Sequence, residues 1–459
     1  MGDRLVVVGG DAAGMSAASQ ARRRRSADEL EIVAFERGSY TSYSACGIPY
    51  FVGDVLSDQD QLVTRTPAEF AELDIDARIR HEVEEVDLDA GTVRVRNLGT
   101  GAVADESFDQ LMIATGSVPT RPDVPGIDAD GVYGVQVLDD GVALRRELDS
   151  GDVKRVVVVG GGYIGLEIAE AVKSRGLEVA IVDLSETPIR TFDPDIGRYI
   201  ADAVRGMDIE LVLGEGVTGI DTVGGRASAV HTAHRELPAD LVVLGLGVRP
   251  NVALAKAAGV PLGVSGGIAV DRRMRTEAEG VWAAGDCVES RHRLSGARVV
   301  VALGTHANKQ GRVAGINIGG GYATFPGVIG TAVTKICEYE VARTGLSERE
   351  ATEAGFRFVT ATVDSTTRAG YFPGSQPIRV KMTAERRSGR LLGAQIVGKE
   401  GAAKRIDVLA TAIWNEMTVE EVLSLDLSYA PPFAPVWDPV LIAARKAWDA
   451  VEADISKHP

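Results

Sequence analysis

Val156-Val-Val-Val159-Gly160-Gly-Gly162-Tyr-Ile-Gly165-Leu166 decides the fold of this 459-residue chain. Four β-branched residues running into glycine read as a buried parallel strand that stops at a tight turn. Gly160, Gly162 and Gly165 then fit the spacing GxGxxG. The first glycine permits the turn, the second lets a pyrophosphate approach the backbone, and the third lets the next helix pack close to the strand. That helix, Leu166 to Lys173, aims its N-terminal N–H groups at the phosphates, and Gly176 caps it. Asp183 ends the following strand, 18 residues after Gly165, where an acid bonds a ribose 2′-hydroxyl. The glycines alone would be a weak sign. Strand, helix and acid in sequence make a dinucleotide-binding βαβ unit.

A looser copy lies about 150 residues earlier. Residues 4–9 form a β-branched strand, Gly9 to Gly14 a turn opening a helix, and residues 30–36 the next strand, closed by Glu36. Gly9 and Gly14 hold the outer glycine positions, but Asp11 takes the middle one. By itself this set reads equally well as an ordinary βα turn, and Glu36, 22 residues past Gly14, favours a second nucleotide unit. Between the copies, Gly91 to Arg96 alternates as antiparallel ribbon does, and Pro119, Pro122 and Pro125 crowd a connector that suits a hinge. After about residue 325 no nucleotide signal recurs, and alternating strands with a helix around 408–417 predict an α+β module.

Composition narrows the function. The net charge, 49 − 65 = −16, opposes binding to nucleic-acid phosphates. The longest apolar runs are too short to span a bilayer, and Met1 leads directly into a strand without a leader pattern, which predicts a cytoplasmic protein. Cys46, Cys287 and Cys337 form no CxxC pair, and the six histidines lack ligand spacing, so neither a dithiol nor a metal site is expected. A lone thiol still has redox chemistry: its thiolate attacks a disulfide and holds half of it, or is oxidised to a sulfenic acid. Two nucleotide units and one such cysteine, Cys46, suggest a relay from a nicotinamide through a flavin to sulfur. Cys287 and Cys337 read as inert.

Three further stretches pair a strand with a glycine turn: Leu111 to Ser117, Leu241 to Asn251 with Gly247, and Gly280 to Cys287. Together these motifs resemble the FAD-dependent pyridine nucleotide-disulfide oxidoreductases. The stretch Phe35 to Tyr50 around Cys46, and Leu427-Ser-Tyr-Ala-Pro-Pro-Phe433 before Asp438-Pro439, resemble the single-cysteine coenzyme A disulfide reductases. The resemblance runs from residue 4 to about 445 and includes no fused sulfur-transfer domain. It implies an α/β chain with two Rossmann-like domains, the nicotinamide domain (119–244) inserted in the FAD domain (1–118 and 245–325), then a dimerisation domain (326–459). Thr115-Gly116 and Gly247 would line the FAD site and Asp286 would bond the cofactor. Tyr163, on its residues alone a packed aromatic, would cover the flavin until nicotinamide displaces it. Tyr429 and Tyr371 would reach the active site of a second copy, although interface packing explains Tyr371 as well. Gln20, Arg23 and Ser42 match positions that contact coenzyme A.

The expected enzyme is a homodimer that passes electrons from NADH, with NADPH possible, through FAD to Cys46 and a small disulfide or persulfide. Asp183 predicts the preference for NADH, which Arg190 softens. Two other readings stand beside it: an oxidase or electron-transfer reductase serving oxygen or a small redox protein, with Cys46 off the path, and an NADH-binding flavoprotein sensor. NADH peroxidases and oxidases of this resemblance carry histidine where Ala12 stands, which counts against peroxide chemistry. Ala45 replaces a usual asparagine and Trp437 a usual lysine, so only weak activity with coenzyme A disulfide is expected.

Overall fold

In a computed structural model describing residues 2–457, two parallel five-stranded sheets repeat one plan. The first orders its strands 281–283, 110–113, 3–8, 30–36 and 76–79; the second runs 132–134, 241–244, 155–159, 178–183 and 210–213. In each, the strand entering the glycine turn lies at the centre. Its register fixes the rest: Val8 pairs with Phe35 and Ile113, and Val159 with Val182 and Leu244. Central strands covered on both faces must be apolar throughout, and Leu5 to Val8 and Val156 to Val159 are all buried.

The turns repeat as closely as the sheets. Gly9 and Gly160 both adopt φ +107°, and an added Cβ would lie 2.1 Å from Ala114 O in one and 2.4 Å from Gly245 O in the other. Both helices begin sooner than the sequence predicts, at Ala12 and Tyr163, so Gly14 and Gly165 belong to the first helical turn. There a Cβ would sit 1.9 Å from the carbonyl oxygen of Gly9 or Gly160, so a bare Cα is required. The middle position makes no such demand. Gly162 and Asp11 both have extended backbone, so an L-residue fits the first turn.

A three-stranded antiparallel ribbon follows each unit, at 81–107 and at 217–238. The chain crosses between the sheets twice, and the crossings, Ser117–Pro119 and Val248–Pro250, pair antiparallel. The last module is an antiparallel sheet ordered 332–336, 339–345, 391–398, 377–385 and 358–366, with the helix Pro439–Lys457 against the last two of these strands. Among the described residues no helix is long and apolar enough to cross a membrane.

Candidate active site between the two nucleotide units

Cys46 stands on a short 3-10 turn, Ala45–Gly47, whose two flanks are anchored to different units. Upstream, Ser42 takes a left-handed φ of +50°; its N–H donates to Gly10 O (2.9 Å) and the N–H of Tyr43 donates to Asp11 Oδ1 (3.2 Å). Downstream, the helix Ile48–Val52 is buried among side chains of the second unit. Gly141 abuts Ile48, Gly53 abuts Ala171, and Arg145 lies 4.6 Å over the Phe51 ring while donating to the Phe51 carbonyl (2.8 Å). The thiol is therefore held at the seam between the units and is exposed in the single chain.

Its surroundings do not supply the cation that would ease ionisation. Partial burial first, and then the carboxylates of Glu167, Asp286 and Asp11, push the Cys46 thiol above the usual cysteine range. Motif reading missed Glu167, whose charge acts on the Cys46 thiol. It sits one helical turn after Tyr163, on the same face, and accepts a hydrogen bond from Thr334 Oγ1 at 2.6 Å. Burial raises its carboxyl above the ordinary glutamate range, so it keeps a proton to higher pH. The only signal in the sequence was a glutamate four residues beyond Tyr163.

The residues assigned to the first nucleotide converge. Glu36 accepts from the N–H groups of Gly10 (2.8 Å) and Gly38 (2.7 Å). The strand 281–283 pairs with 110–113 and so sets Gly285-Asp286 beside Ala114-Thr115-Gly116. Ser117 Oγ donates to Asp286 Oδ2 (3.2 Å), and Thr115 Oγ1 donates to Asn251 O (2.6 Å). Gly247 accepts from the N–H of Thr120 (2.9 Å), closing the same crossing. In the second unit Asp183 accepts from the N–H groups of Gly161 and Ser185, as Glu36 does in the first. Arg190 is exposed near it in sequence.

The structure accepts a dinucleotide in each unit. Neither helix Ala12–Arg22 nor helix Tyr163–Ser174 has a side chain capping its first N–H groups, which leaves those donors to a phosphate. A Cβ on Gly116 or Gly247 would meet nothing within 4 Å, and one on Gly162 nothing nearer than 3.9 Å. His306 Nδ1 is buried without a hydrogen-bond partner at the start of helix Gly304–Ile318, which packs along Ala12–Arg22. Asp11 would oppose a phosphate at the first turn. Burial, with Glu36 and Asp286 adding, pushes its carboxyl up to about 7, so its neutral form is accessible.

The remaining assigned residues lie apart from this cluster. Gln20 and Arg23 are toward the far end of helix Ala12–Arg22, about 12 and about 16 Å along its axis from the Ser42 end. Arg22, Arg24 and Arg25 are tied to Leu30 O, Gln20 and Asp3 respectively, whereas the Arg23 side chain is exposed and makes no polar contact among the described residues. Tyr371 and Tyr429 lie beside each other on the surface of the last module, 77% and 47% exposed, and Tyr371 raises the Tyr429 hydroxyl above the ordinary tyrosine range. Arg405 fastens their loops, bonding Asp438, Thr367 O and Phe433 O. Trp437 lies under the Arg445 guanidinium, 5.5 Å from ring centroid to carbon, so a cation stands near that position after all. Cys287 is fully buried, which pushes its thiol up to about 11.

Comparison with known proteins fits this arrangement. Residues 3–311 match the family model for pyridine nucleotide-disulphide oxidoreductases, and 331–439 the dimerisation domain of the same family. A Pyrococcus horikoshii protein named NAD(P)H coenzyme A polysulfide/persulfide reductase is 39% identical over 97% of this chain and 98% of its own. Staphylococcus haemolyticus coenzyme A disulfide reductase is 30% identical over 97% and 99%, and a Methanocaldococcus jannaschii protein named NADH oxidase 34% over 97% and 98%. The solved NAD-dependent persulfide reductase from A. fulgidus superposes with a TM-score of 0.94 at 37% identity, covering 98% of this chain and 84% of that one. The chain belongs to the pyridine nucleotide-disulphide oxidoreductases, which use FAD and NAD(P)H.

Proposed function

We propose that this pyridine nucleotide-disulphide oxidoreductase delivers two electrons from NADH, by way of FAD, to Cys46 and on to a small disulfide, polysulfide or persulfide. The observation that carries the reading is the seat of Cys46. It is fastened to the first glycine turn on one side and to the core of the second unit on the other, with Glu167 and Asp286 close enough to shift its thiol. FAD would lie on residues 1–118 and 245–325, held by Gly9, Gly14, Glu36, Thr115, Gly116, Gly247 and Asp286. The nicotinamide nucleotide would lie on 119–244, held by Gly160, Gly162, Gly165 and Asp183, with Tyr163 over the place of its ring. Residues 326–459 would pair two copies. Asp183 favours NADH because a 2′-phosphate would meet its carboxylate.

Bound FAD supplies the two-electron store between nicotinamide and sulfur. The chain does the rest. The Cys46 thiolate attacks one sulfur of the acceptor, the S–S bond breaks, and the first thiolate leaves while half of the acceptor stays on Cys46 as a mixed disulfide. Two electrons then split that disulfide, release the second thiolate and restore Cys46. Each departing thiolate needs a proton. Glu167, whose carboxyl burial raises above the ordinary glutamate range, would give one, and Tyr429 with Tyr371 would give the other across the dimer. Ser42 lies near Cys46, and Gln20 and Arg23 a helix length away, so those three residues would suit an elongated thiol such as coenzyme A. Ala45 and Trp437 weaken that fit and favour smaller acceptors.

Steady consumption of NADH under nitrogen, with polysulfide, a small dialkyl disulfide or coenzyme A disulfide, tests the reading. Polysulfide and the small disulfide should sustain turnover and coenzyme A disulfide should be slower. NADH consumption that needs only oxygen and survives Cys46→Ser would select the oxidase reading instead.

A further inference from the structure

The segment Ile189-Arg-Thr-Phe-Asp193 lies beside the second glycine turn and is held from the last module. Ile189 is buried with φ +47°, a left-handed conformation that a β-branched residue adopts only when its surroundings impose it. Its N–H donates to Gly161 O (2.8 Å), inside the glycine turn itself. Two residues on, Thr191 Oγ1 lies 3.4 Å from the Tyr163 hydroxyl, and the Thr191 carbonyl accepts from the Arg343 guanidinium. Asp193, only 2% exposed, is then enclosed: it accepts from Lys381 Nζ (3.0 Å), Gln395 Nε2 (2.7 Å) and the N–H of Glu348 (2.8 Å), and its own N–H donates to Gln395 Oε1 (3.0 Å). Lys381, with its side chain 4% exposed, also pairs with Asp195 (2.7 Å) and Glu348 (2.6 Å).

Every group that grips the strap from outside (Arg343, Lys381, Gln395 and Glu348) comes from the sequence matched by the dimerisation domain. One ammonium faces three carboxylates, so removing it leaves the buried Asp193 repelled by the half-exposed Asp195 and Glu348. A buried ion cluster is weak evidence for stability but a known way to fix one conformation. Here the conformation fixed is strained and touches the nucleotide turn at two points.

We propose that Lys381, assisted by Arg343, is a positioning residue for nicotinamide binding. It clamps the strap Ile189–Asp193 onto the glycine turn and, through Thr191, sets the resting place of Tyr163. The inference rests on reading Gly160 to Gly165 as the nicotinamide site. The last module thus shapes a ligand site in another domain, and loosening the clamp lets Ile189 relax and withdraw from Gly161.

The test uses the FAD-loaded dimer with NAD⁺ as the probe. Lys381→Met should raise the NAD⁺ dissociation constant about tenfold and raise amide hydrogen exchange in residues 186–194 by a similar factor. The disulfide KM should change less than twofold, and Lys381→Arg should recover most of the loss. Thr191→Val leaves the buried charges intact and should weaken NAD⁺ about threefold, which keeps the test open if Lys381→Met does not fold. NAD⁺ affinity and exchange within twofold of the native protein in folded Lys381→Met, or unchanged NAD⁺ affinity in Thr191→Val, would overturn the proposal. Gly162→Ala separates the two levels: if it too leaves NAD⁺ binding unchanged, the nicotinamide site itself is misplaced and the clamp falls with it.

Discussion

Single residues decide the chemistry, and Asp11 shows how environment rewrites one. The sequence marked it as a departure from the glycine pattern, whereas the structure makes it a buried carboxyl beside Glu36 and Asp286. Its folded value, about 7, lies above the ordinary 3.8, so its favourable contribution is fully present below pH 3.8 and disappears as pH rises through 7. Phosphates bound at the same turn oppose the charged form further. FAD should therefore be held most tightly below pH 7 and less tightly above it, by up to about tenfold per pH unit. Measured FAD dissociation should follow that slope in the native protein and be flat in Asp11→Asn; an equal slope in both would remove Asp11 from the explanation. Glu167 makes the opposite point about legibility. Its spacing from Tyr163 alone does not mark it, because its nearness to Cys46 depends on helix Ile48–Val52 packing against helix Tyr163–Ser174, a contact between units far apart in the chain.

At the scale of elements the sequence spoke clearly wherever a local steric rule applied. Strands 30–36 and 178–183 are legible from their β-branched and apolar runs and closing acids, and both occupy the stretches read for them. Helix starts were not, because Gly14 and Gly165, which read as the end of the turn, lie inside the first helical turn. The same geometry grades the glycines. Gly14→Ala and Gly165→Ala place a methyl 1.9 Å from a carbonyl oxygen and should cost about 1–3 kcal/mol or more, with loss of the corresponding nucleotide. Gly162→Ala has open space and should keep the native melting temperature while weakening NAD⁺ roughly tenfold, about 1.4 kcal/mol. Melting curves with NAD⁺ titrations distinguish the pair; equal destabilisation at 162 and 165 would contradict the packing argument.

At the scale of the whole molecule, the last module carries the family's dimerisation domain and leaves Tyr371, Phe433 (75%), Val436 (68%) and Trp437 open to solvent in one chain. Side chains of that size suit the surface that a second copy covers. Phe433→Asp with Val436→Asp should convert a dimer into monomers in sedimentation, and the monomer should still bind FAD but lose at least tenfold in disulfide turnover, because the proposed reach of Tyr429 to the Cys46 of a second copy would be lost. A monomer with full turnover would confine the site to one chain. The sequence could not settle such a question, since which surface meets which depends on assembly rather than on any local motif.

The central claim is that electrons leave the flavin through Cys46. Anaerobic rapid mixing of the FAD-loaded Cys46→Ser variant with NADH, followed by polysulfide, tests it most directly. Flavin bleaching by NADH should proceed at the native rate, and recovery of the yellow colour on adding polysulfide should slow by at least a thousandfold. Native recovery in the serine variant would show that sulfur at position 46 is not on the electron path.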